Sequence, residues 1–219
     1  MPRKLHEPIT YLITSGETTS ATTAASAEFL AILALVERAV CAGIRLVQLR
    51  EKNLSARTLH ELAARAASIA RGSETSILVG DRADIARTSL CDGVHLTTQS
   101  LDASVVRRAF GEDFIVGVSA HTLAEARAAR DGGADFVVFG PVFDTPSKRA
   151  YGAPLGVETL REAARALAPF PLVALGGIAE SNVAEVFRAG AQGVAAIRLF
   201  ANGQNLARTA HLIESLYAR

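Results

Sequence analysis

A (β/α)8 barrel is the fold this chain predicts, and three observations carry that expectation. Eight short apolar runs alternate with eight helix-like patterns along 219 residues, close to the lower size limit of such a barrel. Val, Ile and Leu occupy both faces of the runs, as they do when a parallel sheet is covered on two sides. Glycine-bearing pieces at Cys91-Asp92-Gly93, Gly133-Ala134-Asp135 and residues 190–193 close a helix and at once open a strand, which is helix C-capping chemistry at the far face of a barrel. A doubly wound open sheet satisfies the same pattern and is the alternative.

The elements follow in order. Residues 1–8 are polar and form an N-terminal tail, and the first strand is Ile9–Ile13. Residues 15–27 are rich in Ser, Thr and Ala and lack periodicity. They read as a flexible loop after that strand or an irregular start to the first helix. The helix pattern of 28–42 then leads to the strand Leu46–Leu49, and Ala56–Ala70 leads to a strand at 77–79. A short helix at 83–89 precedes the strand Gly93–Leu96, and Ala103–Phe110 precedes a strand at 114–118. Leu123–Asp131 leads to the strand Phe136–Phe139, followed by a long loop, 144–155, containing Pro146, Gly152 and Pro154. A helix at 157–166, the strand Leu172–Leu175, a helix at 183–189, a strand at 193–197 and a helix at 205–217 complete the set. The longer helices repeat apolar residues at spacings of three and four. No linker interrupts the series, so the expectation is one domain over 1–219 with its core at about 9–217.

Composition narrows the function. Hydrophobic residues make up 49% of the chain, ample for a packed core. A net charge of +1 gives no field for nucleic acid, and three tyrosines without a tryptophan weaken a base-stacking role. Cys41 and Cys91 lie far apart inside apolar runs and read as buried free thiols. No run approaches the roughly 20 apolar residues that cross a bilayer, and the tail lacks a secretory core. A cytoplasmic protein with small-molecule partners, without nucleic acid or membrane, is the expectation; self-association into a homo-oligomer stays open.

In a barrel, the carboxyl ends of the strands form the rim that carries chemistry. That rim collects Gln48, Arg50, Lys52, Asp81, Ser119, His121, Thr145, Ser147, Lys148, Gly176, Gly177 and Arg198. Folding alone does not require separate loops to place donors on one side. Val47-Gln48-Leu49-Arg50-Glu51-Lys52 is the densest piece. Alternate strand residues share a face, so Gln48 and Arg50 point together and Lys52 joins them where the strand ends. Such donors suit an anion with several oxygens, such as a pyrophosphate; the plainer reading is a solvated strand end.

Other rim groups also carry two readings. Asp81 binds Mg2+ together with ligand phosphate oxygens, or caps the helix that opens near Ala83. Thr122 and Glu125 have capping-box spacing. His121 beside them is either a general acid/base facing a pocket or a half-buried residue at a helix entry. His95 is a barrel-interior or rim residue, whereas His6 and His211 are exposed and terminal. Thr145-Pro146-Ser147-Lys148 offers two hydroxyls and an ammonium to wrap an anion or cover a site, or is a charged surface loop anchored by the apolar run at 139–143. Gly176 and Gly177 let the backbone approach a ligand, or simply make a tight turn. With Arg198 they occupy the loops after strands seven and eight, where barrels often hold phosphate.

Taken in order and spacing, the pieces at 47–52, 80–82, 93–96, 117–122, 139–148 and 174–178 resemble the thiamine phosphate synthase/TenI family, from Tyr11 to about Phe200. The resemblance implies a (β/α)8 barrel. It also implies a synthase that joins hydroxymethylpyrimidine pyrophosphate to a thiazole phosphate with Mg2+, releasing pyrophosphate. Carried over, Gln48, Arg50 and Lys52 match the pyrophosphate set, Asp81 a Mg2+ ligand and Ser119 a pyrophosphate-side contact. Thr145, Ser147 and Lys148 match a Thr-x-Thr-Lys loop, and Gly176 and Gly177 the thiazole phosphate site. Catalysis would rest on Lys52 and Lys148. His121 falls where TenI-type thiazole tautomerases carry their acid/base, and synthases often share it. The chain departs from the family at Gly80, where Asn is usual, and at Arg198, where a small Ser is usual. It also has Thr97-Thr98-Gln99-Ser100 in place of Gly-Gln-x-Asp, so Ser100 replaces a second Mg2+ carboxylate. The resemblance thus implies a synthase first, a tautomerase as the alternative, and a non-catalytic thiazole-phosphate binder as the third reading.

Overall fold

Strand side chains alternate between faces, and here both faces are apolar because each has its own cover. In the computed structural model, which describes residues 5–144, 153–201 and 205–218, the strands form one closed parallel barrel in chain order. They are β1 (Ile9–Ile13), β2 (Leu46–Leu49), β3 (Ser76–Gly80), β4 (Gly93–Leu96), β5 (Ile115–Ala120), β6 (Phe136–Phe139), β7 (Leu172–Leu175) and β8 (Gly193–Ala196). β8 pairs with β1, setting Tyr11 opposite Ala195. That closure removes both sheet edges and excludes the open doubly wound sheet.

Inward-facing Ile9, Tyr11, Ile13, Leu46, Leu78, Ile115, Phe136, Val138, Val173 and Ala195 fill the barrel. The alternate residues, such as Leu12, Val47, Val79, Val94, Val137 and Val194, face outward into a second cluster shared with the helices. Small residues complement large ones inside. A Cβ on Gly117 would lie 2.4 Å from the Phe136 ring and 2.9 Å from His95 Nδ1, so the absent side chain is the space those rings use.

The outer layer is α1 (Ala27–Cys41), α2 (Ala56–Ala70), α3 (Ala83–Thr88), α4 (Ala103–Phe110), α5 (Leu123–Asp131), α6 (Gly156–Leu167), α7 (Val183–Arg188), α8 (Arg198–Ala201) and α9 (Leu206–Tyr217). Ser55 caps α2 by accepting from Thr58 N–H at 3.1 Å, and Thr122 and Glu125 form the expected capping box on α5. α8 is unannounced in the sequence, since four residues carry no readable period. β5 runs further than expected and takes Ser119 into the strand.

A side-chain latch recurs at the amino-terminal end of the barrel. Asp92 Oδ2 accepts from Ile77 N–H at 2.8 Å, Asp135 Oδ2 from Val116 N–H at 2.7 Å, and Gln192 Oε1 from Leu172 N–H at 2.8 Å. Each residue directly precedes an even-numbered strand and satisfies the opening of the odd-numbered strand before it. Thr10 Oγ1 serves the remaining pair by accepting from Arg45 N–H at 2.9 Å. The glycine-bearing pieces seen in the sequence are therefore part of a unit that repeats every two strands.

Two expectations need correction. Cys91 is buried but Cys41 is exposed, because it sits on the outer side of the last turn of α1. The segment 15–27 is also more than a flexible loop. Thr18 and Thr22 are buried in it, and hydrogen bonds such as Thr22 N–H to Thr19 O at 3.1 Å build consecutive turns.

Candidate active site

The carboxyl ends of the strands open into one mouth, and its floor is polar. Gln48 is buried inside the barrel, and its Oε1 accepts from the Tyr11 hydroxyl at 3.3 Å. The Tyr11 ring lies 5.6 Å from that of His95. His95 Nε2 meets Ser119 Oγ at 2.9 Å. Burial holds the His95 imidazole down at about 4 against an ordinary 6.5, while the Asp81 charge pulls the other way. The ring is therefore neutral at pH 7. Among the described residues its Nδ1 is buried without a partner. A buried N–H is rarely left orphaned, an acceptor less rarely, so the proton belongs on Nε2. Nε2–H then donates to Ser119 Oγ, which keeps the Ser119 hydroxyl proton available for another acceptor.

Asp81 follows β3 in a left-handed conformation, φ 60°, with its N–H bonded to His95 O at 2.9 Å. It does not cap α3; the N-cap is Arg82, whose side chain makes no capping bond and instead pairs with Asp84. Asp81 Oδ1 instead accepts from Ser100 Oγ. Ser100 also accepts from Thr97 N–H at 2.7 Å. Ser100 thus touches Asp81. Among the described residues no cluster of three or more His, Cys, Asp or Glu side chains gathers. Mg2+ commonly takes one or two protein carboxylates plus substrate phosphate oxygens. This site fits an ion that arrives with a pyrophosphate, not one caged by protein.

Arg50 is half-buried at the end of β2, and Lys52 is exposed beyond it. Across the mouth, Gly176 and Gly177 have φ of 101° and 64°. A Cβ on Gly176 would lie 2.5 Å from Pro141 Cα, and one on Gly177 2.9 Å from Asp144 O. The tight-turn reading therefore holds for both glycines, which are needed to seat the segment after β6. That segment leads into Thr145, Ser147 and Lys148, which lie outside the described residues. His121 is exposed, and its Nδ1 lies 2.5 Å from Gly140 O. A carbonyl can only accept, so Nδ1 carries a proton, and Nε2 has no partner among the described residues. Arg198 is exposed at the end of β8, as the first residue of α8.

The structure therefore joins Gln48, Ser119 and Asp81 through Tyr11 and His95, with Ser100 on Asp81 and Arg50 just past the end of β2. It sets His121, Gly176 and Gly177 around the segment after β6, and leaves Arg198 at the outer edge. Sequence reasoning passed over Tyr11 and Glu51. Glu51 is 3% exposed, though it reads as one charge among three. Strand alternation was the signal available for it, because it puts Glu51 on the face opposite Arg50.

These features define a (β/α)8 barrel whose mouth is furnished for anions. The family model described as thiamine monophosphate synthase matches residues 11–200, and the chain belongs to that family. A thiamine-phosphate synthase of Moorella thermoacetica is 40% identical over 187 residues, covering 85% of this chain and 89% of the relative. The thiamine-phosphate synthase of Chloroflexus aurantiacus is 37% identical over 183 residues, 84% of each chain. Among solved structures, a thiamine phosphate pyrophosphorylase from Pyrococcus furiosus superposes with a TM-score of 0.78 at 26% identity, over 97% of this chain and 96% of that one.

Proposed function

We propose that this chain is a transferase of thiamine biosynthesis. It couples hydroxymethylpyrimidine pyrophosphate to a thiazole phosphate and yields thiamine phosphate and pyrophosphate. One observation carries the reading for this particular mouth: Gln48, Arg50, Asp81 and Ser119, from three different strands, meet around a single buried floor.

The chemistry is positional and electrostatic. The bond from the pyrimidine methylene carbon to the pyrophosphate oxygen breaks, and the electron pair leaves with the pyrophosphate. Arg50 and Lys52, with Lys148, bind the departing oxygens as charge develops on them. Ser119 donates its hydroxyl proton to the same group. Asp81, with Ser100 beside it, would hold Mg2+ by its carboxylate, and the ion would neutralise leaving-group charge. The thiazole nitrogen, held close by its phosphate near Gly176, Gly177 and Arg198, captures the carbon. The test is formation of thiamine phosphate from the two substrates with Mg2+. Turnover is expected; its absence at high enzyme concentration rejects the proposal.

A second reading, thiazole tautomerisation, has one observation in its favour. His121 has its tautomer set by Gly140 O, which leaves Nε2 as a base. In that case His121→Asn abolishes tautomer exchange, and an unchanged rate rejects it.

A further inference from the structure

Between the two cations assigned to pyrophosphate lies a carboxylate that the reaction does not use. Glu51 is 3% exposed, and both its oxygens are engaged. Oε1 accepts from the Thr14 hydroxyl at 2.5 Å, and Oε2 from the Thr18 hydroxyl at 2.6 Å. Both threonines are themselves buried and belong to the segment between β1 and α1. Among the described residues no ion pair joins Glu51 to Arg50, so the Glu51 carboxylate is engaged by hydroxyls and not by the guanidinium.

The same network reaches Arg50 by two routes and its strand neighbour Gln48 by a third. Thr14 Oγ1, while donating to Glu51, accepts from Arg50 N–H at 2.9 Å. Thr14 N–H bonds to Gln48 O at 3.0 Å, which continues the sheet past β1. Gly16, at φ +77°, lies so close that a Cβ there would stand 3.0 Å from Arg50 O and 3.1 Å from Arg50 Nη1. Asn53 Nδ2 adds a tether by donating to Thr18 O at 2.9 Å. The segment therefore forms a wall against the guanidinium, and Glu51 is the post that holds the wall.

We propose that Glu51 is a positioning residue: by binding Thr14 and Thr18 it docks the β1–α1 segment on the end of β2 and so fixes Arg50 for a pyrophosphate. The proposal rests on the pyrophosphate reading of this mouth. A carboxylate that accepts two hydroxyls loses one bond when it becomes an amide, because the amide nitrogen only donates. Thr18→Val removes one donor at nearly constant volume, and Thr18→Ser restores it.

The experiment is calorimetric titration of inorganic pyrophosphate, with Mg2+, into the wild type, Glu51→Gln, Thr18→Val and Thr18→Ser. The thiazole phosphate is the second probe, and hydrogen exchange is followed over residues 14–26. A lost bond to a buried charge predicts about tenfold weaker pyrophosphate binding in Glu51→Gln and Thr18→Val. Faster exchange in the segment accompanies it, thiazole phosphate affinity stays within about twofold, and Thr18→Ser keeps wild-type values. A purely structural role would move both affinities together or neither. If Glu51→Gln does not fold, the two Thr18 variants carry the comparison. Wild-type pyrophosphate binding with unchanged affinity in the variants overturns the role of Glu51 and leaves the functional proposal standing. Failure of the wild type to bind pyrophosphate overturns both.

Discussion

At the scale of single residues, Asp81 and Ser100 test the proposed Mg2+ site. Ser100 is a neutral donor to Asp81, where a carboxylate would be a second hard ligand. Ser100→Asp is expected to create Mg2+ binding that no longer needs pyrophosphate, read by calorimetry with Mg2+ alone. Equal, pyrophosphate-dependent binding in both proteins would contradict this account of the site. His95 supplies a second residue-scale expectation. Its folded value of about 4 lies below the ordinary 6.5, so between those values the unfolded chain binds more protons. Stability is then fully present above about pH 6.5 and falls as pH drops towards 4, by on the order of 3 kcal/mol. Denaturant midpoints of wild type and His95→Gln across that range should converge in acid, because the variant lacks this slope.

At the scale of elements, the barrel depends on groups that settle strand openings. Asp135 accepts from Val116 N–H and from Arg107 Nη2, both at 2.7 Å. Burial nonetheless pushes the Asp135 carboxyl above its ordinary value, with the Val116 N–H and Arg107 opposing. The aspartate is thus kept for the N–H it satisfies more than for the strength of an ion pair. Asp135→Ala should destabilise by about 1–3 kcal/mol in urea unfolding. Asp131→Ala, which breaks only an exposed contact with Arg130, should cost well under about 1 kcal/mol. Equal effects would show that the latch is incidental.

At the scale of the whole molecule, one closed ring of strands depends on its last helix, α9. Leu206, Ala210 and Ile213 are buried, and α9 packs on α1 and α7, near the seam where β8 meets β1. Tyr217 also bonds to Glu7 and stacks edge-on with Phe187 at 5.1 Å. Exposing each large apolar side chain costs about 1.5–3 kcal/mol, against a total stability of about 5–15 kcal/mol. Deleting residues 205–219 should abolish the cooperative thermal transition followed by circular dichroism and produce aggregates on size exclusion. A sharp, unshifted transition would show that the barrel closes without its last helix.

The amino-acid pattern alone was enough for the strand–helix alternation, most element boundaries and the gathering of Gln48, Arg50, Asp81 and Ser119 on one rim. Those follow from period-two and three-to-four spacings, which are local properties of the chain. The partners were not legible. Glu51 meets Thr14 and Thr18 across 37 and 33 residues, and His95 reaches Ser119 across 24. Asp81 carried a cap reading and a Mg2+ reading side by side, and its contact with Ser100, 19 residues away, was not among them. Pairings of that kind exist once β8 closes on β1 and strand twist brings distant loops together, because a hydrogen bond reads distance and direction in space, whereas sequence periodicity records only which face a side chain takes.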